Sequence, residues 1–352
     1  FFMQSADAFQ IVFSPVLVYN KTNPVKGGIW MYDQTLADFP RLSAEQDDTP
    51  RIQRAISATA HGVLYVPKGI YLLTGPIRIT NFCSLLLHKS AILRAQAPMD
   101  FVVWYDGGPR YQNLLMQDET GALFDDLNLF ISGGEIDGNG LASCLCINNY
   151  HHFTLRDMAL RNGKRYGLRV GQTGYGFELI AHNIYCRCTM PGLAGNVGIS
   201  SKEGDSHYTD CIVVDYTTGI ELLGGGANRL TRCHVWGGVI PPAAPGRPPE
   251  MLENSVCYRL SSGDALLRDC YADTGKTGFE VVENARLLGC AYYNNYDFKL
   301  DDVTVIHQTG GALLVTDGYF SKTSPRARMY SGTGQVRWQN NTYIGGLTPP
   351  DT

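Results

Sequence analysis

The phrase LTRCHV at residues 230–235 returns as LRDCYA at 267–272 and as LLGCAY at 287–292. A cysteine recurring at the centre of one short apolar phrase limits the possible folds more than any other feature of the chain. Aligned, the series extends to LRDMAL, IAHNIY, YTDCIV, LTRCHV, LRDCYA, LLGCAY and VTDGYF. Its expected central file is Met158, Asn183, Cys211, Cys233, Cys270, Cys290 and Gly318. A second series runs out of step with it: YGLRV, VGIS, TGIEL, VCYRL, TGFEV and YDFKL, centred on Leu168, Ile199, Ile220, Tyr258, Phe279 and Phe298. The base repeat is about 20–22 residues, with two coils enlarged by insertions, and a repeat of that length signals a solenoid. Each repeat is β-rich, alternates with period two and has no helical period. The leucine-rich consensus is absent. An all-β parallel β-helix remains, in which stacked coils hide one residue of every pair.

The cysteines then read as an inward column of small, weakly polar side chains. Cys211 and Cys233 are a whole coil apart, unlike the close pairs of a metal knuckle. Inward residues one coil apart also lack the side-chain directions a disulfide needs. Cys144/Cys146 and Cys186/Cys188 are i, i+2 pairs and read as core pairs on one face of a strand. No metal and no cofactor are expected.

Charged residues make up 18% of the chain, the net charge is −4 and the pI is near 6.1. That balance argues against nucleic acid and anionic membrane as partners. No apolar run approaches the roughly 18 residues that would span a bilayer. The chain begins FFMQ, which reads as a processed or trimmed start. Thr49 and Pro50 in DDTPRIQRAI read as the cap and first turn of an amphipathic helix ended by Gly62. The strands VLYVP and IYLL follow. The helix is expected to cap the open end of the solenoid. The expected divisions are an arm or small head over 1–45, the capped β-helix over 46–335 and a tail over 336–352.

DDTPRIQRAI…GVLYVPKGIYLL, with the later ISGGEIDGNG, resembles the opening of the pectate-lyase superfamily of right-handed parallel β-helices. That superfamily includes phage tailspikes, glycosidases and difructose-anhydride-forming inulin fructotransferases. The resemblance covers roughly residues 45–330. It implies a carbohydrate-active enzyme, often a homotrimer, at an extracellular or virion surface. The polygalacturonase strings NTDG, GHG and RIK are absent, as is the R-x-P-x-x-R of pectate lyases.

Two outward ladders are expected. One is Asp157, His182, Asp210, Arg232, Asp269, Gly289 and Asp317. The other is Arg169, Ser200, Glu221, Arg259, Glu280 and Lys299. The insertions 186–196 and 237–254 are expected to leave one corner and wall a cleft beside the coils between them. YTDCIVVDYTTGIELLGGG also resembles the fructotransferase stretch in which an Asp and a Glu eleven residues apart are catalytic. This implies Asp210 and Glu221 as the catalytic pair, and Asp215, one strand later, is a further catalytic candidate. Glu203, Asp205, His207, Arg187, Arg232 and Trp236 are the expected substrate contacts. Glycosidic cleavage by paired carboxylates is the leading reading. Fructotransferase-like transfer, polysaccharide lyase action and non-catalytic glycan binding stay open beside it.

Overall fold

The structure is a computed structural model. It describes residues 32–348 apart from 109–128, 175, 191–192, 194, 238, 241–249, 294–301 and 323–325. A representative coil is His207–Thr209, then Ile212–Tyr216, then Thr218–Leu222. The next is Arg229–Thr231, His234–Gly237 and Val256–Leu260. Each strand pairs in parallel with its counterpart one coil away, which produces three long faces. The first and second faces belong to one 21-stranded sheet, joined through the 12-residue strands Tyr150–Arg161 and Gly176–Arg187. The third is a separate 10-stranded sheet. The chain is a right-handed parallel β-helix.

Local sequence explains the strands. On the second face Val213, Val235 and Ala272 point inward and are buried, while their neighbours face out. On the third face each strand carries two adjacent inward residues, such as Gly219 and Ile220. Gly219 has no room for a side chain, because a Cβ there would lie 2.2 Å from Val235 Cγ1 and 2.6 Å from the Cys257 carbonyl oxygen.

The pairing of Ile212 with His234, His234 with Tyr271 and Tyr271 with Ala291 stacks Cys211, Cys233, Cys270 and Cys290 in one file. All four are fully buried and unbridged. Their thiols lie against main-chain carbonyls, Cys233 Sγ reaching Tyr208 O at 3.4 Å and Cys290 Sγ reaching Leu267 O at 3.5 Å. Burial pushes the Cys290 thiol up to about 12.

Two register expectations are corrected. Ile184 pairs with Met158, so Ile184 and not Asn183 stands in the cysteine file. Cys144 lies in the core, but Cys146 packs outside it with Phe101, Tyr166 and Val197. The two inward neighbours on each third-face strand displace the alternation by one, which separates that pair.

The expected ladder beside the cysteines is also corrected. Asp157, Asn183, Asp210, Arg232, Asp269, Gly289 and Asp317 all have φ between 51° and 62°. They form the left-handed corner between the first and second faces, a conformation that Asp, Asn and Gly tolerate best. His182 lies one residue before this file. The third-face ladder holds as read through Arg169, Ser200, Glu221, Arg259 and Glu280. It continues at His307 and Ser331. Phe298 and Lys299 lie outside the described residues, and Phe279 pairs with Ile306.

The helix spans Thr49–Ala58 with Asp48, not Thr49, at its N-cap, and it ends at Thr59, before Gly62. Ile52, Ala55 and Ile56 join the core. Gln34–Thr35 already pairs with Leu64–Tyr65, so the sheet begins inside the expected arm. Gln335–Gln339 and Thr342–Ile344 still pair with the coil before them, so strands continue into the expected tail. No described helix is long and apolar enough to cross a membrane.

Candidate functional site

The structure distributes the expected site residues over four places. Asp210 sits at the corner between the first and second faces, where Arg232 Nε and Nη2 donate to its two oxygens at 2.7 and 2.8 Å. His182 Nε2 lies 3.4 Å from Oδ2. The Arg232 guanidinium holds the Asp210 carboxyl below the usual carboxylate range. This is an exposed clamp across a turn, and Arg232 forms one half of it.

Glu221 faces out from the third sheet. Ser200 Oγ donates to Glu221 Oε1 at 2.6 Å, and Arg259 Nη1 lies 3.6 Å from Oε2. Arg259 Nε also donates to Glu280 at 2.8 Å. Core side chains including Val213, Tyr216, Ile220 and Leu222 fill the interior between this face and the Asp210 corner. Asp210 and Glu221 have no partner in common, so one chain does not bring this pair together.

Glu203 and Asp205 lie in the connection from the third face to the first, and exposed His207 starts the following strand. Burial raises Glu203, opposed by a main-chain bond from Gly176 and by Lys202 and Arg169. Asp205 has φ 52° and serves the turn.

Arg187, Asp215 and Trp236 lie together on the outer side of the second face. Val214, Trp236 and Asp273 occupy matching positions on consecutive strands. Asp215 sits in the bulge between Val214 and Tyr216 with φ 62°. Arg187 Nε lies 3.9 Å from its Oδ2. Burial raises the Asp215 carboxyl, and Arg187 opposes that shift. Burial raises Asp273 too, opposed by Thr274 Oγ, which donates to Asp273 Oδ1 at 2.6 Å. One strand lies between the two that carry these carboxylates, so those strands run about 10 Å apart along the solenoid axis. Aromatic rings continue the face. His234 stacks on Tyr271 at 4.0 Å, Tyr271 meets Tyr293 at 5.8 Å and Tyr293 meets Tyr319 at 5.8 Å.

Both long insertions leave from this edge. Gly176–Arg187 and His234–Gly237 end the second face, and the third face resumes at Val197 and Val256. The second insertion starts and closes as a short antiparallel pair, Val239–Ile240 with Glu250–Met251. The expectation of a common corner therefore holds.

Sequence reasoning did not single out Asp273, Tyr271 and His234, which the structure places on the same outer face as Trp236. The signal was present in the Asp/Asn/Gly recurrence before the cysteines. Read as a left-handed corner, it makes the first and third residues after each cysteine the outward ones. Among the described residues no group of three or more His, Cys, Asp or Glu side chains could hold a metal ion.

Because Asp210 serves a corner, Asp210→Asn is expected to shift melting by only a few degrees, since exposed ion pairs contribute about 0–1 kcal/mol and Asn also accepts the left-handed turn. Thermal melting checks this, and a collapse of the fold would give the clamp a larger structural part.

No family model matches the chain, and no curated protein matches it. Solved structures do. The surface adhesin PfbA of Streptococcus pneumoniae superposes with TM-score 0.62 at 12% identity, over 88% of this chain and 89% of that one. The A-module of the Azotobacter vinelandii mannuronan C-5 epimerase AlgE4 superposes with TM-score 0.53 at 14% identity, over 89% and 96%. A tailspike protein of the E. coli bacteriophage HK620, solved in complex with a pentasaccharide, superposes with TM-score 0.53 at 12% identity. That match covers 89% of this chain, which spans 66% of the tailspike's length. These likenesses are of fold: each is a match to the parallel β-helix of this chain.

Proposed function

We propose that the chain is a carbohydrate-active enzyme that cleaves a glycosidic bond on the outer side of its second face. The observation that carries this reading is the pair of half-buried carboxyls, Asp215 and Asp273, on either side of Trp236 beside the two insertions. Two strand spacings between the strands that carry them favour the wider carboxyl placement of an inverting hydrolase, which leaves room for a water on the far side of the sugar ring. Asp273 has no cation beside it among the described residues and keeps its proton to higher pH, so it serves as general acid to the leaving oxygen. Asp215 lies beside Arg187, which favours its ionised form, so it serves as base to the attacking water. Two carboxyls in unlike surroundings are what this chemistry needs. Fold neighbours that modify or bind saccharides support the reading at the level of substrate class.

The test is incubation with a glycan panel and mass analysis of the products. Products carrying added water are expected. An unsaturated end would mark a lyase instead, and a cyclic disaccharide a fructotransferase. A homotrimer at an extracellular or virion surface is part of the proposal, supported by the adhesin and tailspike likenesses. Light scattering should give three times the 38.8 kDa chain mass, and a monomer mass would end that part.

A further inference from the structure

We infer that the second face from His234 to Tyr319 is a stacking track for an uncharged saccharide chain lying parallel to the solenoid axis. This names a substrate class for the site proposed above and rests on that reading.

The register builds the track. Tyr271 and Tyr319 occupy one file with Ala291 between them. Alanine leaves a gap there, and Tyr293 from the neighbouring file lies 5.8 Å from both flanking rings. Ala291 is thereby buried although it faces away from the core. His234 extends the row by stacking on Tyr271 at an interplanar angle of 16°. Four rings thus span four consecutive strands, about 14 Å along the axis. Tyr319 is 41% exposed, and Tyr271 and Tyr293 are half-buried. The track starts beside Trp236 and Asp273, so a chain held on it would pass the carboxyls.

Charge selects the occupant. The outward positions of these four strands are His234, Trp236, Tyr271, Asp273, Ala291, Tyr293, Tyr319 and Ser321, and none is Lys or Arg. Burial lowers His234 to about 4, so it is neutral at ordinary pH. Nearer the N-terminus the same face does carry arginines, each beside a carboxylate: Arg94 with Asp137 at 2.8 Å, Arg161 with Glu135 at 3.4 Å, and Arg187 with Asp215 at 3.9 Å. Lys322, just past the track, donates to the Ala327 carbonyl. A chain bearing a carboxylate or sulfate on each sugar would find no Lys or Arg at the outward positions of these strands to balance its charge. A neutral pyranose or furanose instead offers C–H surface to the rings and hydroxyls to the carboxyls.

The test uses the full chain carrying Asp273→Asn, which blocks turnover. It is applied to an array of neutral polysaccharides (glucans, mannans, galactans, fructans) and acidic ones (alginate, polygalacturonate, sulfated glycans). At least one neutral glycan should bind, with affinity little changed from low to high salt. Tyr293→Ala and Tyr319→Ala should each weaken that binding about tenfold while melting stays within a few degrees. Binding confined to acidic glycans, no neutral binder, or neutral binding indifferent to both tyrosines would each overturn the inference. So would a Tyr319→Ala change in particle mass without a change in glycan binding, because the face would then be a contact between copies. Tyrosine-dependent neutral binding together with full activity of Asp215→Asn and Asp273→Asn would remove the catalytic assignment and leave the track standing. Carboxylate-dependent cleavage of an acidic glycan would do the reverse.

Discussion

Asp273→Asn is expected to keep its fold and lose at least about 100-fold in turnover, the usual scale for removing a general acid. Asparagine has nearly the same shape and can still accept the hydrogen bond from Thr274 Oγ, but it has no proton to give the leaving oxygen. Asp215→Asn should lose activity on the same scale, because its amide cannot take a proton from water. The pH profile carries the assignment further. Activity requires Asp273 protonated and Asp215 ionised, so the rate should fall as pH rises through the Asp273 pKa and again as pH falls through that of Asp215. Arg187 opposes the upward shift of Asp215, so Arg187→Met should move the acid limb to higher pH and leave the alkaline limb in place. Stability gives an independent sign. A carboxyl raised on folding contributes stability that is present below its unfolded pKa and is lost as pH rises through its folded pKa. Asp273→Asn should therefore melt higher than the parent at neutral pH, with the gain shrinking in acid. Unchanged turnover in both variants would move the chemistry off this face, and a general loss of fold would show that Asp273 is structural.

Cys233→Asp is expected to prevent stable folding. Cys233 is fully buried in the middle of a file with Cys211 above and Cys270 below, and its Sγ lies against the Tyr208 and Thr231 carbonyls. A carboxylate there would face main-chain oxygens with no cation. An uncompensated buried charge costs about 3–5 kcal/mol, a large part of the roughly 5–15 kcal/mol that holds a typical domain together. Cys233→Ala keeps the file apolar and leaves a small void, so it should fold with a lower melting temperature. Melting of the two variants in parallel separates charge from packing. A Cys233→Asp protein as stable as its alanine counterpart would mean that the file is hydrated.

The third-face phrases are legible because their central residues share a single strand register. Ile220, Tyr258 and Phe279 fall in line in the sequence and pair so in the structure. The Asn183 misalignment arises because a corner and a strand look like one ladder. Asp210 precedes Cys211 as Asp269 precedes Cys270, and that recurrence reads equally well as an outward charge or as a left-handed turn. Backbone φ decides between them.

The repeat of apolar phrases by itself determined the parallel β-helix, the buried cysteine file and the corner from which the insertions leave. A solenoid's core is set by residues adjacent in coil order, and that order is written along the chain. Which carboxylates share a face was decided only by the tertiary structure. Asp210, Asp215 and Glu221 lie within half a coil of one another, and their spacing does not say which face each one reaches. Folding sends Asp210 to a corner, Glu221 to the third face and Asp215 to the second. Asp273 lies on the same face as Asp215, on the far side of the strand that carries Trp236. That placement depends on strand spacing and on the side to which each residue turns, and neither is a property of the residues taken singly.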